Sequence, residues 1–435
     1  MNKNFYDDKS IESLSPLEFT RLRPGVYCGD TSFSTQLVVE LVSNAIDEFQ
    51  LGHGTKINIE TKKEGSLLNF KGFLITVEDE GQGFIPNSMR EDGKTVLEAS
   101  FSVLNTSGKY KEDGVYEGTS LGSFGIGSKL ATYLSHALKV SSWRDGTKET
   151  IYFKEGEFLK REVTSVKKGE SGTKVEFIPS EEFFGSPEVE DSKIRKLFSE
   201  VVCLCVGLEI NYNGTKFFSQ KGLDDLVDKK IGNNEIIVNR LRISAQEGKS
   251  KLNLCLTYGS NYSATITPYV NLGLTEAGPH ITTFKTVLTK EINKYAKDNG
   301  LLTKDAKNFV GEDIQEGLCC IFNLTHPSVA YDAQVKSRIT SKDFNSFLSK
   351  TISEHLRIWF KTYPKQIELI ITKALSARKA REAAKKARDT ARKTIETKAQ
   401  VLKVPEKLAD CSSKKRKECE IFIVEGKTNR IALSL

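Results

Sequence analysis

Residues 34–50 constrain most tightly what this chain can fold into. Leu37, Leu41, Ala45 and Phe49 recur at helical spacing, which predicts a helix with one apolar face. The same stretch, V-E-L-V-S-N-A-I-D-E, carries Glu40, Asn44 and Asp47 at spacings of four and seven, so all three share a helical face. Polar residues at this spacing are often only a wet surface. Here they abut the apolar stripe, which predicts that part of this face lines a pocket. A carboxylate one turn before an amide suits two jobs. Glu40 can orient or deprotonate a water, and Asn44 can offer its oxygen to a hard cation such as Mg2+.

Three later segments carry related signals. Asp79-Glu80-Gly81-Gln82-Gly83 follows a strand-like run at 74–78. Its glycines permit a tight turn and close approach of a flat ligand to backbone, and an aspartate at a strand end can accept from an adenine amino group. Taken alone it reads as a plain acidic loop. Gly122-Ser123-Phe124-Gly125-Ile126-Gly127 leads into a helix at 128–134, where exposed N–H groups attract phosphate oxygens. It is neither a Rossmann fingerprint nor a P-loop: no strand directly precedes it, and no Gly-Lys-Ser/Thr closes it. Gly172-Thr173 opens a strand at 173–178, and its hydroxyl could help bind a water that bridges to a ligand.

Strand-like runs at 56–60, 73–78, 138–142, 149–153 and 173–178, mixed with helices, predict an α+β sandwich with helices on one face of a sheet. Residues 1–30 read as a polar arm ending in a turn at Arg23-Pro24-Gly25. A second unit begins near Gly222, with strands at 251–258, 265–270 and 318–324 and a helix from 281 to 299. From 341 to 398 the chain reads as helix. Residues 378–400 hold nine Lys/Arg against three acidic residues, which is either a solvated helix face or a stretch that tracks phosphate.

Composition excludes little. At 38% hydrophobic and 28% charged the chain is ordinary for a globular protein, and a net charge of +7 permits nucleic acid without demanding it. The eight cysteines form no pair of C-x-x-C motifs, so they read as buried, reduced thiols suited to a cytoplasm rather than as zinc ligands. The polar first ten residues are not a signal peptide, and the apolar run at 201–208 is too short to span a membrane.

The order E-x-x-x-N-x-x-D, D-x-G-x-G, G-x-x-G-x-G and G-T resembles the GHKL ATPases, the superfamily of gyrase, the ninety-kilodalton heat-shock chaperone, histidine kinases and MutL. That resemblance implies a Bergerat α/β sandwich that binds ATP and Mg2+ under a mobile lid. Further segments are similar to the gyrase B and topoisomerase IV B proteins. These are Arg23-Pro24-Gly25-Val26-Tyr27 with Gly29-Asp30, the lid start Leu104–Tyr110, Glu276-Ala277-Gly278-Pro279-His280, Gly311-Glu312-Asp313, Gln334-Val335-Lys336, and Val424-Glu425-Gly426 at the entry to a Toprim module.

The resemblance implies roles residue by residue. Glu40 stands as general base and Asn44 as Mg2+ ligand. Asp79 and Thr173 contact adenine, and Gly125 and Gly127 cradle phosphate. Lys336 reaches the γ-phosphate, Tyr6 crosses from an N-terminal arm to the partner protomer, and Tyr116 is a lid tyrosine. Asp47, Gly81, Gly83, Lys109, Gly122, Ile126 and Gln334 complete the implied nucleotide site. The implied organisation is a GHKL ATPase domain with its arm at 1–220, a transducer of ribosomal-protein-S5-like fold with long C-terminal helices at 221–400, and a linker with the start of Toprim at 401–435.

The expected protein is therefore the ATP-driven clamp of a type II topoisomerase. It would dimerise on ATP binding, hold double-stranded DNA, and work with a gyrase A- or topoisomerase IV A-like cleavage protein in the cytoplasm, away from membranes. The competing expectation is an accessory or regulatory ATPase clamp without strand passage. A MutL-like repair protein lacks support from the Q-x-K and Toprim-entry segments.

The sequence also departs from the family pattern. Phe124 stands where many relatives have His, Ser43 where they often have Asp, and Leu121 where they have a lid glycine. After Gly426 the chain reads Lys427-Thr428-Asn429-Arg430, so Glu425 alone is not expected to complete a cleavage metal site; a split or interrupted gene, a frame change or a truncated product is the expectation.

Overall fold

The computed structural model describes residues 14–104, 126–303, 305–327, 329–332 and 338–401, together with 413, 415 and 417; for 393–401 only the backbone is described. In chain order the first part comprises helices α1 (Pro16–Leu22), α2 (Pro24–Cys28) and α3 (Thr35–Gln50), then β1 (Lys56–Leu67), β2 (Phe70–Asp79), α4 (Val96–Ser102) and α5 (Gly127–Tyr133). It continues through β3 (Ser135–Arg144), β4 (Thr147–Lys154), β5 (Glu157–Ser165), β6 (Gly172–Pro179), α6 (Asp191–Leu204), β7 (Glu209–Tyr212) and β8 (Thr215–Phe217).

These strands make one eight-stranded sheet in the order β5-β4-β3-β6-β2-β1-β7-β8, antiparallel except where β1 meets β7. Tight hairpins join neighbours. Asp145-Gly146, Glu155-Gly156 and Asn213-Gly214 each take two positive φ angles, the backbone that two-residue connections between twisted strands require. Leu37, Leu41 and Ile46 of α3 share one core with Ile75 and Val77 of β2 and with Val140, Ile151 and Phe177.

The expected turn at Arg23-Pro24-Gly25 is instead the start of α2. α1 before it is nucleated by a capping box, in which Ser15 and Glu18 exchange side-chain and backbone bonds, with Pro16 in the first turn. A proline at the start of a helix needs no N–H partner, so Pro24 favours helix as readily as turn.

The second part comprises α7 (Leu223–Ile231), β9 (Leu241–Glu247), β10 (Ser250–Tyr258), β11 (Thr265–Val270), β12 (Gly273–Leu274), α8 (Pro279–Asp298), α9 (Gly311–Gln315), β13 (Leu318–Thr325), α10 (Asn345–Thr362) and α11 (Pro364–Val401). Its sheet runs β12-β11-β13-β10-β9, with β11 parallel to β13. The central strand β13 is buried along nearly its whole length, and its two faces serve different cores. Leu318, Cys320, Phe322 and Leu324 meet α8, α10 and α11, while Cys319 and Ile321 join the core that contains α3 and α6.

α11 is anchored only by its first half. Ile367, Ile370, Ile371 and Ala374 are buried, Arg381 forks onto Asp313 at 2.7 and 3.1 Å, and beyond it the side chains described are exposed. The basic stretch at 378–392 is thus a solvated face in this structure. Among the described residues no helix is long and apolar enough to cross a membrane. The described cysteines, Cys28, Cys203, Cys205, Cys255, Cys319 and Cys320, are free and buried, as expected.

Candidate functional site

The β2 strand ends at Asp79, which lies in register with Thr173 on β6; Thr173 in turn faces Ser142 on β3, and Ser142 faces Glu149 on β4. Cross-strand partners point to the same face, so one polar row crosses the end of an otherwise apolar sheet. The Gly81 N–H donates to Asp79 Oδ1 at 2.8 Å, closing the turn that the two glycines were expected to make. A Cβ on Gly81 would stand 2.7 Å from that oxygen and 2.8 Å from Cγ of Glu48, so only glycine fits there.

Burial pushes the Asp79 carboxyl up to about 7. The Gly81 N–H pulls it back, and the Glu48 carboxylate adds to the rise.

α3 runs alongside this row. Glu48 near its C-terminus accepts from the Gln82 N–H at 3.3 Å. Two turns earlier Glu40 packs against Gly127, where an added Cβ would collide with the Glu40 carboxylate. Eight residues at 1.5 Å each separate Glu40 from Glu48, roughly 12 Å along the helix. Gln36 donates to Glu40 Oε1 at 2.9 Å and orients it. Asn44 is exposed on the same side, whereas Asp47 is buried, only 4% exposed, and close enough to Cys205 to help raise its thiol. The shared face therefore splits: Glu40 and Asn44 are accessible, and Asp47 is turned inward. Ser43 donates to the Val39 carbonyl one turn back at 2.6 Å.

The structure thus brings Glu40 and Gly127 together at one place, and Asp79, Gly81, Gly83 and Thr173 at another. Ile126 caps the N-terminus of α5 and is buried. Tyr6, Lys109, Tyr116, Gly122, Gly125, Gln334, Lys336 and Glu425 lie outside the described residues.

Sequence reasoning missed Ser142, Glu149, Glu48 and Lys129. Ser142 Oγ accepts from the Phe84 N–H at 2.8 Å and lies 3.5 Å from the Thr173 hydroxyl. Lys129, two residues after Gly127, is only 2% exposed, and burial drives its ammonium down to about 8. A lysine directly behind a glycine-rich loop was a signal available in the sequence. Ser142 and Glu149 gave none, because their importance comes from register.

A sheet covered by α3 and α5, with an acidic residue at a strand end beside a Gly-x-Gly turn and a helical glutamate packed against the first glycine of α5, defines the GHKL class of fold. The sheet beyond it, backed by long helices, is the transducer arrangement of type II topoisomerases. The DNA gyrase B family model matches residues 222–390. The DNA gyrase B protein of Thermotoga maritima is 31% identical over 438 residues, 97% of this chain and 67% of the relative. Its Thermus thermophilus counterpart is 31% identical over 433 residues, 97% of this chain and 66% of its own length. The crystal structure of the 43K ATPase domain of Thermus thermophilus gyrase B, in complex with an aminocoumarin, superposes with a TM-score of 0.70 at 26% identity, covering 86% of this chain and 98% of that one. The chain belongs to the DNA gyrase B family and spans about two thirds of the length of these relatives.

Proposed function

We propose that this chain is the ATP-binding and ATP-hydrolysing clamp of a type II DNA topoisomerase. The observation that carries the proposal is the pairing of two stations about 12 Å apart along α3. At one, Asp79 and Thr173 sit side by side; at the other, Glu40 faces Gly127. An adenosine triphosphate with its base at the first and its phosphates at the second matches both the spacing and the chemistry. Gly81, Gly83 and Gly127 permit close approaches that any side chain would block.

In this reading Asp79 accepts from the adenine amino group and the Thr173 hydroxyl supports it through water. Asn44 offers its oxygen to the Mg2+ that accompanies the phosphates. Glu40, held by Gln36, takes a proton from the attacking water. Gly125 and Gly127 cradle the phosphates, and Lys336 with Gln334 senses the γ-phosphate from the second unit.

The assignment divides the chain into an ATPase domain with its dimerisation arm (1–220), a transducer (221–400) and a linker with the start of Toprim (401–435). Two chains would close on ATP, each lending Tyr6 to the other, around double-stranded DNA. A gyrase A- or topoisomerase IV A-like protein in the cytoplasm would supply cleavage. Phosphate contacts alone would hold the DNA, so no sequence preference is expected from this part.

The test is Glu40→Gln. The amide keeps the shape but takes no proton, so turnover should fall by about 10²–10⁴ while calorimetry shows a non-hydrolysable ATP analogue still binding. Near-normal turnover would remove Glu40 from the mechanism.

A further inference from the structure

We propose that Glu149, Arg161 and Asn87 form a clamp that pins the loop from Gly83 to Asn87 across the sheet and so sets the affinity and base selectivity of the nucleotide pocket. The inference rests on the nucleotide reading above. The loop leaves β2 beside Asp79 and runs perpendicular to the strands, following the row Asp79, Thr173, Ser142, Glu149. Each end is tied down.

At the near end Gly83 takes φ +68, and a Cβ there would stand 2.5 Å from the Trp143 carbonyl oxygen. The Phe84 N–H donates to Ser142 Oγ at 2.8 Å, and that hydroxyl donates to the Gly172 carbonyl at 3.1 Å. At the far end Asn87 takes φ +59. Its N–H donates to Glu149 Oε2 at 2.9 Å, and its side-chain oxygen accepts from Arg161 Nη2. Arg161 Nε donates to the other Glu149 oxygen at 2.9 Å.

Glu149 is 1% exposed. A carboxylate that deep in the fold is held only because both its oxygens are occupied, one by a cation and one by the loop. The loop is therefore the second partner the buried charge requires. Between the two ties Ile85 is 60% exposed. Glu149 and Arg161 act through Asn87 and are positioning residues. They stand at the base station, away from Glu40, so loosening them should weaken binding without slowing the chemical step.

The experiment compares Glu149→Gln, Arg161→Met, Arg161→Lys and Asn87→Gly with the parent chain. Asn87→Gly keeps the left-handed backbone and the N–H while losing the contact to Arg161, so it remains informative where a core variant fails to fold. Calorimetric Kd for ADP and for a non-hydrolysable ATP analogue should rise about tenfold in Glu149→Gln and Arg161→Met. The KM for ATP should follow, kcat should stay within about twofold, and the preference for ATP over GTP should narrow. Arg161→Lys should recover part of the loss. Backbone amides of 84–87 should exchange faster in the nucleotide-free variants.

Faster exchange with unchanged Kd overturns the proposal, because the loop would then not touch the base. A lower melting temperature or lower kcat with unchanged Kd overturns it as well, leaving a merely structural pair. The failure of the nucleotide reading looks different: the parent chain itself would bind no ATP, or Asp79→Asn would bind it as well as the parent does.

Discussion

A carboxyl held near 7 is half ionised at neutral pH, and Asp79 is such a group. Its native pKa lies above the unfolded value of 3.8, so its stabilising contribution is complete below 3.8 and is lost as pH rises through about 7. The ionised form is also the stronger acceptor for an amino donor. Nucleotide affinity should therefore rise over the window in which the nucleotide-free protein loses stability. Asp79→Asn should uncouple the two. Thermal denaturation of the free protein should show the variant gaining on the parent as pH goes from about 4 to about 8. Calorimetry at the alkaline end should show ATP binding weakened by about 1–3 kcal/mol, the cost of a mispaired buried polar group. A variant-minus-parent difference that does not change with pH would rule out Asp79 as the titrating group.

Among the elements, α8 depends on an uncharged imidazole at its start. His280 is fully buried with Thr275 Oγ1 2.8 Å from its Nε2, and the rings of Phe322 and Phe344 pack edge-on around it. Burial drives it down to about 4 from an ordinary 6.5. For a base with a depressed native pKa the stabilising contribution is present above 6.5 and lost as pH falls through about 4. Urea midpoints should fall across that interval, and His280→Gln should flatten the slope even if it lowers stability throughout. An equally steep acid loss in the variant would move the cause elsewhere.

Legibility varied from element to element. α3 announced itself through the spacing of Leu37, Leu41 and Ala45. β5 went unseen because every one of its residues is exposed, leaving no apolar alternation, although Glu155-Gly156 before it sits at a hairpin turn. α6 was read only as an apolar run near 201–208, since its helical stripe of Ile194, Phe198, Val201 and Val202 begins earlier.

For the whole molecule the decisive feature is one core shared across both sheets. Cys255, Tyr269, Cys319 and Ile321 of the second sheet, with Leu272 in the β11–β12 turn, belong to the same apolar cluster as α3 and α6. Polar contacts reinforce the join. Tyr269 donates to Glu200 on α6 at 2.9 Å, and Lys230 on α7 reaches the other Glu200 oxygen at 3.2 Å. The two parts should therefore unfold in a single cooperative transition by calorimetry and by tryptophan fluorescence. Tyr269→Phe should lower stability by about 1–3 kcal/mol, because Glu200 keeps its burial and loses a donor, without splitting the transition. Two transitions in the parent chain would show that the shared core does not couple them.

What is local was legible in the chain. It placed the helix bearing Glu40 and Asn44, the glycine turn after Asp79, and the strands at 251–258, 265–270 and 318–324, because helical spacing, alternation and the need for glycine are written in neighbouring residues. Packing supplied what is relational. It set Asp79 beside Thr173, brought Ser142 and Glu149 into the same row, and laid Gly127 against Glu40. It also turned Asp47 inward to Cys205 while leaving Asn44 in solvent, although both stand on one helical face. Register between strands and the choice of which side of a helix meets a sheet depend on partners distant in the chain, and no window of sequence contains both halves of such a contact.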